Sequence, residues 1–354
     1  MVRRLLALLA SVSLGLIVFE VGFRYVGPRS FERPQLRDED GNKVDLSEVL
    51  LFFRDGTSSI PEEPRGGMKP DFQASFCYDR PQWDYFDSDG CCEVSINSLG
   101  FRDEEFPIQK PAGELRVLAI GDSFTFAQGC RAEDGWTEVL EEMLREETGG
   151  PVQVMNAGFT GGGSWPQEYA PWVLAHALSF EPDLVIYGMC LNDIDRRVPM
   201  LAYASIWDRP KLWGKPWLGG ISEALTYFQR GQQQRVFEKE PVDLSLLLQA
   251  DPSNWNANQV ALRSIHEYLE SAEIPFTLAI FPMLSMLGDK YPYKGLHSAV
   301  AEFCETEQID YLDLYAPFHT LEDRELWVHP FDQHPNPVGH RIFAEEIYAH
   351  IAGR

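Results

Sequence analysis

The chain has 354 residues, with 30 Lys and Arg against 54 Asp and Glu, which gives a formal net charge of −24 at pH 7. Its 44% hydrophobic and 12% aromatic content is enough for a full core and excludes a chain that is disordered over most of its length. The acidic balance disfavours nucleic acid as a partner, because binding to phosphates needs a basic face.

One N-terminal segment, residues 1–25, approaches the length needed to span a membrane. Arg3 and Arg4 precede a charge-free run from Leu5 to Phe19. As a helix this run would rise about 22 Å, less than the ~30 Å hydrocarbon core of a bilayer. Because no small-residue cleavage site follows Phe19, the segment is predicted to be an uncleaved membrane anchor, with a cleaved signal peptide and a buried helix as alternatives. The leading arginines predict that the following chain is extracytoplasmic, in the periplasm or at the cell surface.

Residues 26–112 are rich in Pro, Gly, Asp and aromatic residues and contain few long apolar runs. Turn signals such as Asp87-Ser88-Asp89-Gly90 predict a loop-rich extension packed on the domain that follows. If the chain is exported, Cys77 could form a disulfide with Cys91 or with Cys92, and free thiols are the alternative.

From residue 113 to residue 354, short apolar runs alternate with amphipathic helical patterns. The last helix is predicted to begin at Asn336-Pro337, an N-cap followed by Pro at the first helical position, and to bury apolar residues from Val338 to Ile351. Alternating strands and helices predict a mostly parallel, doubly wound sheet with helices on both faces. The predicted strands are residues 116–120, 152–155, 184–187, 276–281 and about 311–312.

An insertion at about residues 196–250 interrupts this alternation. It contains Trp207, Trp213 and Trp217 together with several prolines and glycines. A long insertion of this kind in an α/β domain is typical of a lid or a binding wall, and a surface elaboration without a role is the alternative.

Polar residues directly follow the predicted first strand and precede the last helix. Ser123 stands in Gly121-Asp122-Ser123, where a doubly wound sheet gathers its active residues. A serine needs a base to become a nucleophile, and His334 could take its proton while Asp332 holds the imidazole ring. A helix N-cap role for Ser123 and a base role for His329 are the alternatives.

Two further strand ends carry groups that could stabilise an oxyanion. Asn192 follows the strand at 184–187, and its amide could donate to a developing negative charge. A glycine-rich stretch, residues 156–163, follows the strand at 152–155 and would let the backbone approach a substrate closely. That stretch lacks the lysine of a phosphate-binding P-loop and the glycine spacing of a dinucleotide-binding fingerprint. A metal site is the rival interpretation; it would be built from His329, Asp332, His334 and His340.

The order of these blocks resembles the SGNH, or GDSL-type, hydrolase family over about residues 94–354. The stretch from Ile96 to Arg102 and the N-terminal segment are similar to a membrane-anchored bacterial subgroup of that family. The resemblance implies a three-layer α/β/α sandwich with a five-stranded, flavodoxin-like parallel sheet and neither a metal nor an organic cofactor. It also implies these roles: Ser123 as nucleophile, His334 as base, Asp332 as its orienting acid, and Ser123, Gly161 and Asn192 as oxyanion donors.

Two positions depart from the common family pattern. Cys190 stands where the third block commonly has Gly, and the last block reads Asp332-x-His334 rather than D-x-x-H. The shorter spacing resembles relatives that act on carbohydrate O-acetyl groups.

The resemblance therefore implies an exported serine esterase that hydrolyses a carboxylic ester through an acyl-enzyme. Its substrate would be an ester-bearing small molecule or a glycan carrying O-acetyl groups. An O-acyltransferase that modifies a cell-surface glycan with the same triad and a catalytically silent surface binding module are the alternatives.

Overall fold

The computed structural model describes residues 11–22, 35–45, 49–50, 62–78, 86, 88–159, 166–195, 198, 243–330 and 332–353. All described residues from 35 onward belong to one compact unit, and residues 11–22 belong to another. Most of the predicted insertion, the start of the predicted anchor and Gly161 lie outside the described residues.

Five parallel strands form the central sheet, which confirms the predicted doubly wound arrangement. The strands are β4 (Leu115–Gly121), β5 (Val152–Gly158), β6 (Leu184–Cys190), β7 (Phe276–Phe281) and β8 (Asp310–Asp313). The strand order in the sheet is β5-β4-β6-β7-β8, so the direction in which strands are added reverses at β4. Ligands of open α/β sheets bind beside the carboxyl ends of the strands at such a reversal.

Helices connect these strands and cover the sheet. The helices are α1 (Trp136–Thr148), α2 (Pro166–His176), α3 (Leu246–Ala250), α4 (Ser253–Ser271), α5 (Lys294–Glu307), α6 (Tyr315–Phe318) and α7 (Pro337–Ala352). Helix α1 packs against α7, and α2 packs against α4. The buried side chains of α1, among them Trp136, Leu140 and Leu144, recur at helical spacing, as the sequence predicts.

Helix α7 begins where the sequence predicts. The side-chain oxygen of Asn336 accepts hydrogen bonds from the backbone N–H groups of Val338 (3.0 Å) and Gly339 (3.1 Å), so the predicted N-cap is confirmed. The prediction that Val338 is buried is wrong: the side chain is 56% exposed, because the first turn of α7 presents it to solvent. Immediately before the helix, β9 (Trp327–His329) and β10 (Asp332–Pro335) form an antiparallel pair.

A separate antiparallel sheet precedes the central one. It consists of β1 (Gln35–Arg37), β2 (Gln73–Cys77) and β3 (Cys91–Ser95), in that order. Cys77 lies directly opposite Cys91 in the register of β2 and β3, and the two form a disulfide. Of the two pairings left open by the sequence, the structure therefore has Cys77–Cys91, and Cys92 is a buried free thiol.

Residues 11–22 are helical, and their apolar side chains are exposed within the described structure. Among the residues that the structure describes, no helix combines the length and the apolar character needed to cross a membrane. The membrane anchor over residues 1–25 therefore stays a prediction.

Candidate active site

The turn that carries Ser123 follows β4 at a point where two backbones come very close. A Cβ on Gly121 would overlap the side chain of Thr125 and lie 2.5 Å from the carbonyl oxygen of Gly188 on β6. A Cβ on Gly158, at the end of β5, would overlap the backbone nitrogen of Phe126. Glycine at both positions lets the Ser123 turn lie tightly against the ends of its neighbouring strands.

Ser123, His334 and Asp332 form one hydrogen-bonded line. The Ser123 hydroxyl lies 2.8 Å from Nε2 of His334, and Nδ1 of His334 is hydrogen-bonded to Oδ1 of Asp332. Because an ionised carboxylate can only accept, the imidazole proton lies on Nδ1 and leaves Nε2 free to accept the serine proton. This arrangement is the geometry of a serine nucleophile with its base and orienting acid.

The two-residue spacing of Asp332 and His334 has a simple structural basis. Both lie on β10, and alternate residues of a strand project from the same face. The Asp332 carboxylate also accepts a hydrogen bond from the backbone N–H of His334 at 3.2 Å. The short spacing therefore brings the acid and the base together within one strand.

Burial and pairing act on the pKa values of both groups. Burial opposes the charged form of Asp332, but the charge of His334 and hydrogen bonds from His334 and Tyr78 outweigh it and lower the pKa of Asp332. Burial also opposes a charged His334, but the Asp332 carboxylate outweighs it and raises the pKa of His334 above its ordinary 6.5. Asp332 is therefore held ionised, and His334 is a stronger base than a free imidazole.

Asn192 lies at the same edge, in a short 3-10 turn after β6. Its amide nitrogen donates to Oδ2 of Asp122 at 3.1 Å, and the same carboxylate oxygen is 3.5 Å from the Ser123 hydroxyl. An amide nitrogen carries two hydrogens, so the second remains available to a substrate oxygen. Burial raises the pKa of Asp122, while hydrogen bonds from Phe124 and Asn192 favour its ionised form. Cys190, in place of the common Gly, has an ordinary extended backbone (φ −76°, ψ 147°), so the departure fits without strain.

The structure thus brings together four of the predicted site residues: Ser123, His334, Asp332 and Asn192. Gly161 lies outside the described residues, and its predicted oxyanion role stays a prediction. His329 lies opposite Asp332 in the pairing of β9 and β10, with its ring 4.9 Å from the ring of Tyr78, whereas the imidazole hydrogen-bonded to Ser123 is that of His334. Within the described ranges, no group of three His, Cys, Asp or Glu side chains is arranged to hold a metal ion.

One residue at this site is missing from the sequence-based prediction. The hydroxyl of Tyr78, directly after β2, donates a 2.8 Å hydrogen bond to Oδ2 of Asp332. The residues are 254 positions apart, and no periodicity or motif connects them. The nearest sequence signal is the adjacent Cys77, which marks this stretch as covalently fixed.

Arg102 is a second residue missing from the sequence-based prediction, and its side chain holds the loop that follows Ser123. Its side chain is 1% exposed and donates hydrogen bonds at 2.6 Å to the carbonyl oxygens of Ala127 and Cys130. The side chain of Asn97 shapes the preceding turn by accepting from the N–H groups of Leu99 and Phe101. The 96–102 stretch singled out in the sequence therefore packs under the loop that follows the serine.

Comparisons with known proteins found a matching family model and several similar solved structures. Similar solved structures include a protein described as lipolytic, of the G-D-S-L family, from Desulfitobacterium hafniense (18% identity; 66% of this chain and 98% of that chain; TM-score 0.39). Another is a catalytic mutant of an acetylxylan esterase from Geobacillus stearothermophilus (17% identity; 67% and 94%; TM-score 0.42). None of the curated proteins compared with the chain matches it. The model of a GDSL-like Lipase/Acylhydrolase family matches residues 119–342, a range that contains all four residues brought together here.

Proposed function

Because the chain belongs to the GDSL-like Lipase/Acylhydrolase family and is therefore a hydrolase of ester bonds, we propose that it is a serine esterase acting through Ser123, His334 and Asp332. The observation that carries this proposal is the continuous hydrogen-bonded line from the Ser123 hydroxyl through both nitrogens of His334 to Asp332.

The first half of the reaction forms an acyl-enzyme. Ser123 Oγ attacks the ester carbonyl carbon while Nε2 of His334 takes its proton. The negative charge that develops on the carbonyl oxygen is stabilised by the backbone N–H groups of Ser123 and Gly161 and by the amide of Asn192. The tetrahedral intermediate then expels the alkoxide, which receives the proton from His334 and leaves as the alcohol.

The second half releases the acid. A water molecule gives a proton to His334 and attacks the acyl carbon, and the collapse of the second intermediate returns the proton to Ser123. Asp332 stays ionised throughout and stabilises the imidazolium form of His334. The enzyme therefore returns to its starting protonation state after each turnover.

A second candidate function replaces the water with a glycan hydroxyl. The Asp332-x-His334 spacing favours it, because that spacing resembles relatives that act on carbohydrate O-acetyl groups. In the esterase the preferred substrate is an acetyl ester on a carbohydrate, whereas in the acyltransferase the glycan is the acceptor and the acetylated glycan is the product. The silent binding module is disfavoured, since a binding role needs no base at 2.8 Å from a serine hydroxyl.

We also propose that residues 1–25 anchor the catalytic domain outside the cytoplasm. The apolar run from Leu5 to Phe19, the exposed apolar side chains of the helical residues 11–22 and the Cys77–Cys91 disulfide support this, because structural disulfides persist in oxidising compartments. The test is membrane fractionation of the full chain and of a variant lacking residues 1–25, each fused to a reporter that is active only after export. Recovery of the full chain in the soluble cytoplasmic fraction would contradict the anchor.

The esterase proposal is tested with a fluorescent fluorophosphonate, which labels activated serines without requiring knowledge of the substrate. The full chain in detergent is compared with Ser123→Ala and with Ser271→Ala, a serine at the end of α4, just before β7 begins and therefore at the edge of the sheet opposite Ser123. We expect labelling and hydrolysis of p-nitrophenyl acetate to disappear only in Ser123→Ala, with circular dichroism unchanged. Labelling of a folded Ser123→Ala variant at the wild-type rate would reject Ser123 as the nucleophile. Added acetylated and unacetylated polysaccharides then separate hydrolysis from acyl transfer.

A further inference from the structure

The two oxygens of the Asp332 carboxylate are held by different parts of the chain. Oδ1 binds the His334 ring and backbone N–H, both within β10. Oδ2 accepts the hydroxyl of Tyr78, which comes from the antiparallel sheet before the central domain. The direction of the carboxylate toward His334 is therefore fixed from both sides.

Tyr78 is itself constrained by its surroundings. Its side chain is 6% exposed, and its ring lies 4.9 Å from the rings of both Phe86 and His329. Its backbone N–H donates to the carbonyl oxygen of Gly90 at 3.0 Å. The preceding residue is Cys77, which is joined to β3 by the disulfide. Ring packing, a backbone bond and a covalent link together determine where the hydroxyl lies.

Gly129 leaves the space that this hydroxyl occupies. A Cβ at Gly129 would overlap the Tyr78 hydroxyl and approach Val328 to 2.8 Å, and the backbone there has a φ of +84°, which favours glycine. The loop after Ser123 is thus shaped around the Tyr78–Asp332 contact. A tyrosine that served only to fill the core would not need its hydroxyl end accommodated in this way.

We propose that Tyr78 is a positioning residue of the active site, whose hydroxyl orients the Asp332 carboxylate and thereby sets how effectively His334 takes the Ser123 proton. This inference rests on the proposed function, because it concerns the same proton transfer. It goes beyond that function by making the N-terminal sheet part of the catalytic apparatus.

Several charged or titratable groups lie around this contact. Cys92 and Cys130 approach Tyr78, His329 faces its ring, and Asp122 acts on His334 from the β4 side. Burial, followed by the negative charge of Asp332, raises the pKa of Tyr78 well above its ordinary value. Tyr78 therefore keeps its proton across the working pH range and acts only as a donor.

The expected consequence of losing the hydroxyl follows from the charge on Asp332. In Tyr78→Phe the oxygen Oδ2 is buried without a donor, so the carboxylate loses one of the contacts that fix its direction and keeps its full negative charge beside His334. We expect kcat and the rate of fluorophosphonate labelling to fall about 10- to 100-fold, with KM nearly unchanged. Because the tyrosine no longer shares the carboxylate charge, the pKa of His334 should rise and the acid limb of the pH profile should move to higher pH.

The experiment compares the full chain in detergent with Tyr78→Phe and with Tyr311→Phe. The control removes a tyrosine hydroxyl that donates at 2.9 Å to the exposed carboxylate of Glu305, remote from the site. Both substitutions are then repeated in an Asp332→Asn background. Labelling rates are measured from pH 5 to pH 9, and kcat and KM are measured with p-nitrophenyl acetate.

We expect Tyr78→Phe by itself to lower kcat and the labelling rate strongly and to displace the pH profile. In the Asp332→Asn background, the same substitution should have almost no further effect on kcat or the labelling rate. An equal loss in both backgrounds, or an unchanged pH profile, would assign Tyr78 a merely structural role. If Tyr78→Phe does not fold, 3-fluorotyrosine at position 78 replaces it: a stronger donor should move the acid limb to lower pH, and no movement would overturn the proposal. Absence of Ser123-dependent labelling in the wild type would instead reject the proposed function, and this inference with it.

Discussion

Strand β10 and helix α7 follow one another near the end of the chain, and each carries a histidine that is largely shielded from solvent. The side chain of His334 on β10 is 14% exposed and that of His340 on α7 is fully buried. The pKa of His334 is raised above 6.5, whereas that of His340 is lowered to about 3. The pKa values of these two histidines, which are six positions apart in the chain, are therefore shifted in opposite directions.

The difference lies in their partners. Burial disfavours both imidazolium forms, but only His334 has a carboxylate, Asp332, on its Nδ1. Nδ1 of His340 instead accepts the backbone N–H of Trp136 at 3.4 Å, and the positive charge of Arg102 further lowers its pKa. Burial without a carboxylate partner lowers the pKa of a histidine and keeps the ring neutral. A carboxylate on Nδ1 raises the pKa and makes the histidine a stronger base.

The largest expected effect separates the two histidines directly. His334→Asn should lower kcat/KM about 10⁴- to 10⁶-fold, because no base remains beside Ser123. His340→Asn should change kcat/KM less than about 3-fold, since its Nδ1 accepts the backbone N–H of Trp136 rather than a group of the line from Ser123 to Asp332. Esterase assays on both folded variants check this, and similar losses in the two would contradict the distinction.

The carboxylate that distinguishes the two sites can itself be neutralised. Asp332→Asn should lower kcat about 10²- to 10⁴-fold, because the amide no longer fixes the imidazole proton on Nδ1. In the wild type, His334 must be neutral to act as base and its pKa is raised, so the acid limb of kcat/KM should have its midpoint above pH 6.5. A wild-type midpoint below 6.5 would show that His334 gains no basicity from Asp332.

The opposite pKa shifts also predict opposite effects of pH on stability. His340 has a lowered pKa in the folded state, so its contribution is present above pH 6.5 and is lost as the pH falls toward 3, by up to roughly 5 kcal/mol. His334 has a raised pKa, so its contribution is present below 6.5 and is lost as the pH rises through its folded pKa. Urea unfolding of both Asn variants across this range should show His340→Asn losing less stability in acid than the wild type, and His334→Asn losing less in mild alkali. Parallel curves for the three proteins would contradict both assignments.

A smaller effect is expected from the covalent link beside Tyr78. Replacing both Cys77 and Cys91 by Ser should lower the free energy of unfolding by about 2–3 kcal/mol, as expected for a loop of this length. Because Tyr78, which directly follows β2, holds Asp332, the rate of fluorophosphonate labelling should also fall several-fold, while the loss of stability in acid attributed to His340 stays as in the wild type. An unchanged labelling rate would show that the Tyr78 contact does not depend on the disulfide.

The sequence predicted the central sheet because buried parallel strands are short apolar runs between amphipathic helices. It also predicted that Ser123 and Asn192 lie at one edge, because the carboxyl ends of neighbouring parallel strands meet there. Asp332 and His334 were predicted instead from their place before the last helix and from the family resemblance. The burial of Val338 was predicted wrongly, since apolar character alone does not report which way the first turn of a helix faces.

What the sequence by itself determined is therefore the sheet, the cap at Asn336 and the residue types capable of acyl chemistry, all of which depend on local pattern. Only the tertiary structure decided which cysteine pairs with Cys77, in which direction the pKa values of His334 and His340 are shifted, and that Tyr78 reaches Asp332 across 254 positions. These outcomes depend on distances between segments that are remote in the chain. The charge state of a buried side chain is set by the few groups within hydrogen-bonding distance, and their identity becomes known only once the chain has folded.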